Sequence, residues 1–332
     1  GTAGESAPAL YSRHLARRLG TAQSQPILVG AVVASQPLAR LLKVVPLPVL
    51  QVGIGIALAW PVTAGVHVAM DPELFLLIFI PPLLFADAWW APKREYRRLF
   101  RPILSLAFGL VFFTIFGFGL LLHWIVPAIP LGVAFALAAV LSPTDAVAVS
   151  SMVDKKSVPK TLLHILEGES LLNDASGLVM FRFATAAVLT GTFSFWQASA
   201  AFVVAVAGGI AAGVVALVIV SRSLKVLAKV GNIAPESQVL VLLLLPFAAY
   251  LIAESWHASG VLAAVVAGLL LGRSGTASQV GVSAHMLGTS LWTMLSFVFN
   301  GAIFVLLGLQ LPTIIRAVPA EMTTLHWFWQ PI

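Results

Sequence analysis

The stretch EGESLLNDA, residues 167–175, sets three carboxylates, an amide and a hydroxyl into nine positions. Before it the chain reads KTLLHIL (160–166) and after it SGLVMFRFATAAVLT (176–190). The nonapeptide therefore lies inside an apolar helix and not in a link between elements. Its acids sit below a surface, and the surrounding composition says which surface that is.

Of 332 residues, 59% are hydrophobic and 10% charged, and the mean hydropathy is +0.99. Soluble chains average about 45–50% apolar and about 25% charged. Apolar runs of about 20 residues recur along the sequence, the length that crosses the roughly 30 Å hydrocarbon slab. These features define an integral membrane protein. The absence of cysteine excludes a disulfide frame, thiolate chemistry and a thiolate metal site. A net charge of +6 and a pI near 10.0 would suggest nucleic acid in a soluble chain. Here the basic residues fall in short links between apolar runs, so they read as topology signals and not as a nucleic-acid patch. Residues 1–25 have no apolar core of the secretory-signal kind and are expected to form a mobile N-terminal extension.

The apolar stretches run over residues 26–39, 46–62, 72–90, 103–126, 130–151, 160–188, 196–222, 238–255, 259–273 and 286–311, ten crossings in all. The first and ninth are short, which fits a tilted or partly re-entrant span. The links APKREYRRLFRP (91–102), VDKKSVPK (153–160) and SRSLKVLAK (221–229) are basic, whereas PAIP (127–130), TGTFSFW (190–196) and ESWHASG (254–260) carry no Lys or Arg. Positive-inside bias places the first three in the cytoplasm and, by parity, the N-terminus outside.

An ionisable group at bilayer depth costs roughly 2.5–3.5 kcal/mol on insertion scales, so it usually faces a bundle interior and marks a pathway. Two stretches carry that cost. In EGESLLNDA, helical spacing puts Glu167, Ser170, Leu171 and Asp174 on one stripe with Asn173 beside it, and Glu169 about 100–140° away. In LSPTDAVAVSSM (141–152), Asp145 follows Pro143, which removes one backbone hydrogen bond and frees the carbonyl four residues earlier. Carboxylate, hydroxyl, amide and carbonyl oxygens are ligands for a hard cation and also acceptors for a proton. One site could hold either. A cation channel, an intramembrane aspartyl protease, or polar residues that merely join helices remain alternatives at this level. His123, His164, His257 and His285 lack paired ligand spacing, which argues against a metal enzyme. Arg182 is expected to snorkel or pair locally, Glu254 to make an interfacial or interhelical contact, and Trp89, Trp90 and Trp124 to belong to an interfacial belt.

The ordered pair TDAVAV (144–149) and GESLLNDASG (168–177) resembles the signature of cation:proton antiporters of the sodium/hydrogen exchanger family, bacterial branch. DPELFLLIFIPPLLFADAWW (71–90), YLIAESWHASGVLA (250–263) and FVFNGAIFVLLGLQL (297–311) extend the resemblance over residues 26–312. It implies an all-α polytopic inverted-repeat fold with a broken helix near Thr144-Asp145, about ten of some thirteen membrane helices being visible here. It implies that Asp174 binds the ion with Asp145, Ser170 and Thr144, the last through its carbonyl. Asn173 is implied to hold the helix crossing together, and Glu169 to pair with an arginine on a later helix. In some members a ligand acid follows the Pro-Pro pair by four residues; here that position is Ala86, and the acid, Asp87, comes one later. Nothing after Leu311 resembles the late Arg-Gly helix, so the resemblance leaves Glu169 without its arginine in these residues.

The expected organisation is a scaffold and dimerisation domain from 26–92 and 196–312, ion-binding core helices over 103–190, and a link over 313–332 toward further core helices. The function implied is secondary exchange of a monovalent cation, Na+ in the first place, for H+ in the plasma membrane, with no cofactor, by a homodimer that is no enzyme.

Overall fold

The computed structural model describes residues 26–42, 45–59, 72–145, 158–190, 195–230, 234–272 and 282–317. Among them are eleven helices and no strand, the all-α architecture expected of these apolar runs. They are α1 (Pro26–Leu41), α2 (Leu47–Ala59), α3 (Pro72–Trp90), α4 (Lys93–Arg98), α5 (Phe100–Ile125), α6 (Leu131–Leu141), α7 (Lys160–Thr190), α8 (Phe195–Val230), α9 (Pro235–Ser255), α10 (Gly260–Leu271) and α11 (Val282–Ala317). Each of the ten apolar stretches has its helix. Parts of the 46–62, 130–151 and 259–273 stretches lie outside the described residues, as do the N-terminal extension and the link 313–332 beyond Ala317.

Four helical segments are both long and apolar enough to cross a membrane: Phe100–Ile125, Ser199–Leu227, Pro235–Ser255 and Ser283–Arg316. Five apolar helices are shorter, at 10–17 residues. The 31 residues of α7 would span about 46 Å at 1.5 Å per residue, but the polar nonapeptide dilutes their hydropathy. Among the described residues, α6 is one of the short helices because Pro143 follows it closely.

The chain forms two compact units, one of residues up to Phe75 together with those from Met294 onward, the other Leu76–Thr293. In the first unit α2 and the C-terminal half of α11 meet through glycine. A Cβ on Gly308 would stand 2.9 Å from the Val52 carbonyl carbon and 3.0 Å from Gly55 Cα. Small residues at such a crossing allow the backbones to approach, which is how membrane helices gain packing without a hydrophobic drive. Buried Gln51 on α2 donates to Ser35 Oγ on α1 over 3.1 Å, and Ser35 donates to the Val32 carbonyl over 2.7 Å.

In the second unit, α5 packs on α6 and α7, α6 on α7, and α8, α9 and α10 on one another. Between Ser105 and Leu110, α5 widens to a π-helix. Ile103, Ala107, Val111 and Ile115 are all buried at a constant spacing of four. A regular α-helix has 3.6 residues per turn and would rotate such a series steadily off its partner. The wider turn takes up the surplus and keeps the four on one line facing α6 and α7. Trp89 corrects the belt expectation: it is buried, with Phe85 at 6.3 Å and His285 at 6.1 Å between ring centroids, while Trp90 and Trp124 are exposed. Helical rotation separates the neighbours, sending Trp89 to the inner face with Phe85 and Trp90 outward.

Candidate functional site at the end of α6

The site begins where α6 stops. Pro143 has no N–H to donate, so the helix closes at Leu141, with Ser142 still in αR conformation as its C-cap. Ser142 Oγ donates back to the Ala139 carbonyl over 3.3 Å. Thr144 and Asp145 follow in non-helical backbone, both exposed. The rest of LSPTDAVAVSSM, from residue 146, lies outside the described residues.

Gly177 of α7 makes the approach possible. A Cβ there would stand 2.5 Å from Pro143 Cγ and 3.2 Å from the Ala139 carbonyl oxygen. The bare glycine thus lets the end of α6 lie against α7, beside the polar nonapeptide.

Thr144 is the hub of the contact. Its carbonyl oxygen accepts from Ser170 Oγ over 2.9 Å and from Asn173 Nδ2 over 3.3 Å. Its hydroxyl donates to Glu169 Oε2 over 2.8 Å and accepts from Asn173 Nδ2 over 3.1 Å. Asn173 Nδ2 also donates to Glu169 Oε1 over 2.7 Å. A carboxylate oxygen accepts only, so the Glu169 contact fixes which end of the Asn173 amide is nitrogen. Asn173 is 0% and Glu169 4% exposed, and among the described residues nothing donates to the buried Asn173 Oδ1.

Glu169 therefore stands in the polar junction and not on an opposite flank. Glu169 and Asn173, one turn apart, face the end of α6 together, while Leu171 turns into an apolar cluster with Ala175, Tyr250, Val261 and Leu262. The helical wheel set Glu169 apart from Ser170 and Asp174. The faces are instead set by where glycine admits a neighbour, since Gly168 receives the Ile103 side chain much as Gly177 receives Pro143.

Asp174 is half-buried on the neighbouring turn position, and the carboxylates of Asp145, Glu169 and Asp87 are close enough to act on it electrostatically. Asp87 is exposed, whereas Ala86 is fully buried. Among the described residues no group of three or more His, Cys, Asp or Glu could hold a metal ion. The oxygens gathered here are of mixed kind, from carbonyl, hydroxyl, amide and carboxylate.

Two contributors carry no sequence signal. Ser176 Oγ, buried, donates to the Ala107 carbonyl in the π-helical stretch over 2.8 Å and lies 2.8 Å from the Asn173 carbonyl, so α5 is tied to α7 just past Asp174. Widening a helix leaves carbonyls in want of donors, and a period-based reading cannot foresee it. Tyr96, in the basic link after α3, packs on the cluster around Leu171. Burial holds its hydroxyl well above the ordinary phenol value, with the Glu167 and Asp87 charges adding to the effect, so Tyr96 stays neutral. Lys93 in the same link donates to the Trp89 carbonyl at the end of α3, where the helix dipole favours a cation, although burial lowers its pKa. Arg182 pairs across helices with Glu254 of α9, the interhelical contact expected of Glu254.

Apolar helices around a polar junction at the end of α6 define a multi-pass membrane protein with a polar site between two of its helices. Residues 27–332 match the transmembrane sodium/hydrogen exchanger family. The chain belongs to the sodium/hydrogen exchanger family, which bears out the resemblance drawn from its motifs.

It is 52% identical over 273 residues to the uncharacterised Na+/H+ exchanger YjcE of Escherichia coli (strain K12), covering 82% of this chain and 50% of that protein. It is 41% identical over 289 residues to a sodium, potassium, lithium and rubidium/H+ antiporter of Bacillus pumilus (strain SAFR-032), covering 87% and 43%. It is 32% identical over 273 residues to the low-affinity Na+/H+ antiporter NhaS1 of Synechocystis, covering 82% and 50%. The chain spans about half the length of these relatives. All three are described as exchangers or antiporters, which are transporters and not enzymes.

Proposed function

We propose that the protein exchanges a monovalent cation, Na+ in the first place, for H+ across the plasma membrane by alternating access at Asp174 with Asp145. The observation that carries this reading is the 2.9 Å contact between Ser170 Oγ and the Thr144 carbonyl, one helical turn before Asp174. Two oxygens of different origin are already paired beside the candidate carrier. With Ser170 donating, the carbonyl is occupied; if the hydroxyl turns, both oxygens face outward and can coordinate a cation. Protonated Asp174 would satisfy the site in the other half of the cycle. One positive charge replaces another, so exchange is electroneutral.

In this reading Thr144, Asp145, Ser170 and Asp174 contact the ion. Asn173 and Glu169 hold the end of α6 in place, and Asp87 tunes the field. The core helices lie within 103–190, and the flanking segments 26–92 and 196–312 form the scaffold of a homodimer. The basic links 91–102, 153–160 and 221–229 face the cytoplasm. No cofactor takes part.

The test is Asp174→Asn in the full-length protein reconstituted into proteoliposomes. The variant keeps the shape and removes the charge, so cation-dependent proton flux should vanish. Retention of more than a small part of that flux would overturn the assignment.

A further inference from the structure

Arg182 Nη2 lies 3.2 Å from Glu254 Oε1 and Nη1 lies 3.5 Å from Oε2, a two-pronged pair between α7 and the end of α9. On α7, Leu171, Ala175, Leu178 and Arg182 follow one another at spacings of four, three and four, which keeps them on one face. On α9, Tyr250 and Glu254 are one turn apart in the same way. Leu171, Ala175, Leu178 and Tyr250 share a single apolar cluster with Val261, Leu262 and Val265 of α10 and with Leu84 and Ala88 of α3, so α7 meets the α9–α10 pair mainly through α10. The ion pair therefore stands at the end of an apolar seam that begins beside Asp174, about 12 Å farther along the helix. By the charge of the links, that end faces away from the cytoplasm.

The Glu254 side of the pair is held firmly. His257 at the end of α9 has φ 55°, a left-handed conformation normally left to glycine. Its N–H bonds to the Glu254 carbonyl over 3.0 Å and the Ala258 N–H to the Ala253 carbonyl over 2.8 Å, the double closure of a Schellman turn. The next N–H, of Ser259, bonds to the Ala205 carbonyl of α8 over 3.0 Å. The carboxylate is thus anchored to α8 and α9, while the guanidinium rides on the helix that carries Asp174. With side-chain exposures of 49% and 33%, the pair is accessible, and an accessible pair is easily parted.

We propose that the Arg182–Glu254 pair is an outer latch: it closes the seam between α7 and the α9–α10 pair on the side away from the basic links and separates once in each turnover. The latch rests on the exchange reading above. Opening the route outward requires the apolar seam to part, and the pair spans its rim. A buried pair would resist such opening, whereas this one can re-form on every return.

Residues 1–332 contain no cysteine, so Arg182→Cys with Glu254→Cys places the only two thiols among them at the rim, and the protein without these substitutions is the reagent control. In the full-length protein in proteoliposomes, a thiol-cleavable bifunctional methanethiosulfonate should cut cation–proton exchange by at least about tenfold, as a blocked gating step does. Reduction should restore it, and each single-cysteine variant should be unaffected by the reagent. Exchange within about twofold of the reduced form after complete cross-linking would overturn the latch.

Should the double-cysteine variant not assemble, Arg182→Glu and the swap Arg182→Glu with Glu254→Arg decide the matter. The single reversal should slow turnover several-fold and the swap restore it, with little change in thermal midpoint. A turnover loss that merely follows the thermal midpoint, or a swap that fails to restore, would mark a structural contact and end the proposal. If the unsubstituted protein exchanges no cation for protons, the exchange reading fails and takes the latch with it. If it exchanges and the cross-linked form does too, the latch alone fails.

Discussion

Thr144 Oγ1 donates to Glu169 Oε2 over 2.8 Å, joining the non-helical end of α6 to a buried carboxylate of α7. The same threonine receives the Asn173 amide, so one side chain bridges two residues that stand a turn apart.

Thr144→Val keeps the volume and removes the hydroxyl. Glu169 then loses a donor in a buried setting, a loss worth about 1–3 kcal/mol. The detergent-solubilised variant should unfold at a lower temperature, whereas Thr144→Ser should behave as the native protein. Equal thermal midpoints for valine and native would show that the contact carries no stability.

Gly177→Ala should disturb the site through packing alone. The new Cβ meets Pro143 Cγ at 2.5 Å, and Pro143 is too rigid to yield by rotation. Overpacking of this kind costs about 1–3 kcal/mol, and the displaced Thr144 carbonyl should raise the apparent KM for the cation. Initial rates against cation concentration would reveal it; an unchanged KM would mean that residues 143–145 tolerate the shift.

Cation and proton should compete for one group. Asp174 can hold a cation only when deprotonated, so acidification removes the binding-competent form. The apparent KM should rise about tenfold per pH unit well below the group's pKa, and level off well above it. Turnover should fall again at high pH, because the returning carrier lacks its proton, giving a bell-shaped profile. Rates over a grid of pH and cation concentration test this; a KM constant throughout the active range would exclude a shared site.

Electroneutral exchange should ignore the membrane potential. Imposing about 100 mV is worth roughly 2.3 kcal/mol for each charge moved. The equilibrium cation ratio across the vesicle wall should stay where it was, and a marked shift would require unequal charges in the two directions.

The helices were legible in the sequence because membrane insertion demands long apolar runs, and those runs place every helix but α4, which lies in the basic link 91–102. The stop after Leu141 was legible too, since Pro143 leaves no N–H to continue α6. Placement around α7 was not. A wheel drawn from the polar residues separates Glu169 from Ser170 and Asp174, yet the decisive facts are two bare positions, Gly168 and Gly177, whose meaning depends on which neighbours fill them. Trp89 escaped for a similar reason: it packs on Phe85 and on His285 of α11, and the latter is remote in sequence.

The π-helical stretch in α5 gives this part of the protein one residue to spare. A wide turn holds a residue more than a regular one, and residues 105–110 are where α5 holds it. Removing a single residue there would restore a regular helix and still leave Ile103 and Ile115 on one face, since steps of three, four and four suit 3.6 residues per turn. Ile103 would stay against Gly168, and the loss would fall on the carbonyl to which Ser176 donates. A deletion in the regular part of α5 has no such surplus to draw on and would turn one part of the helix against the other by about 100°.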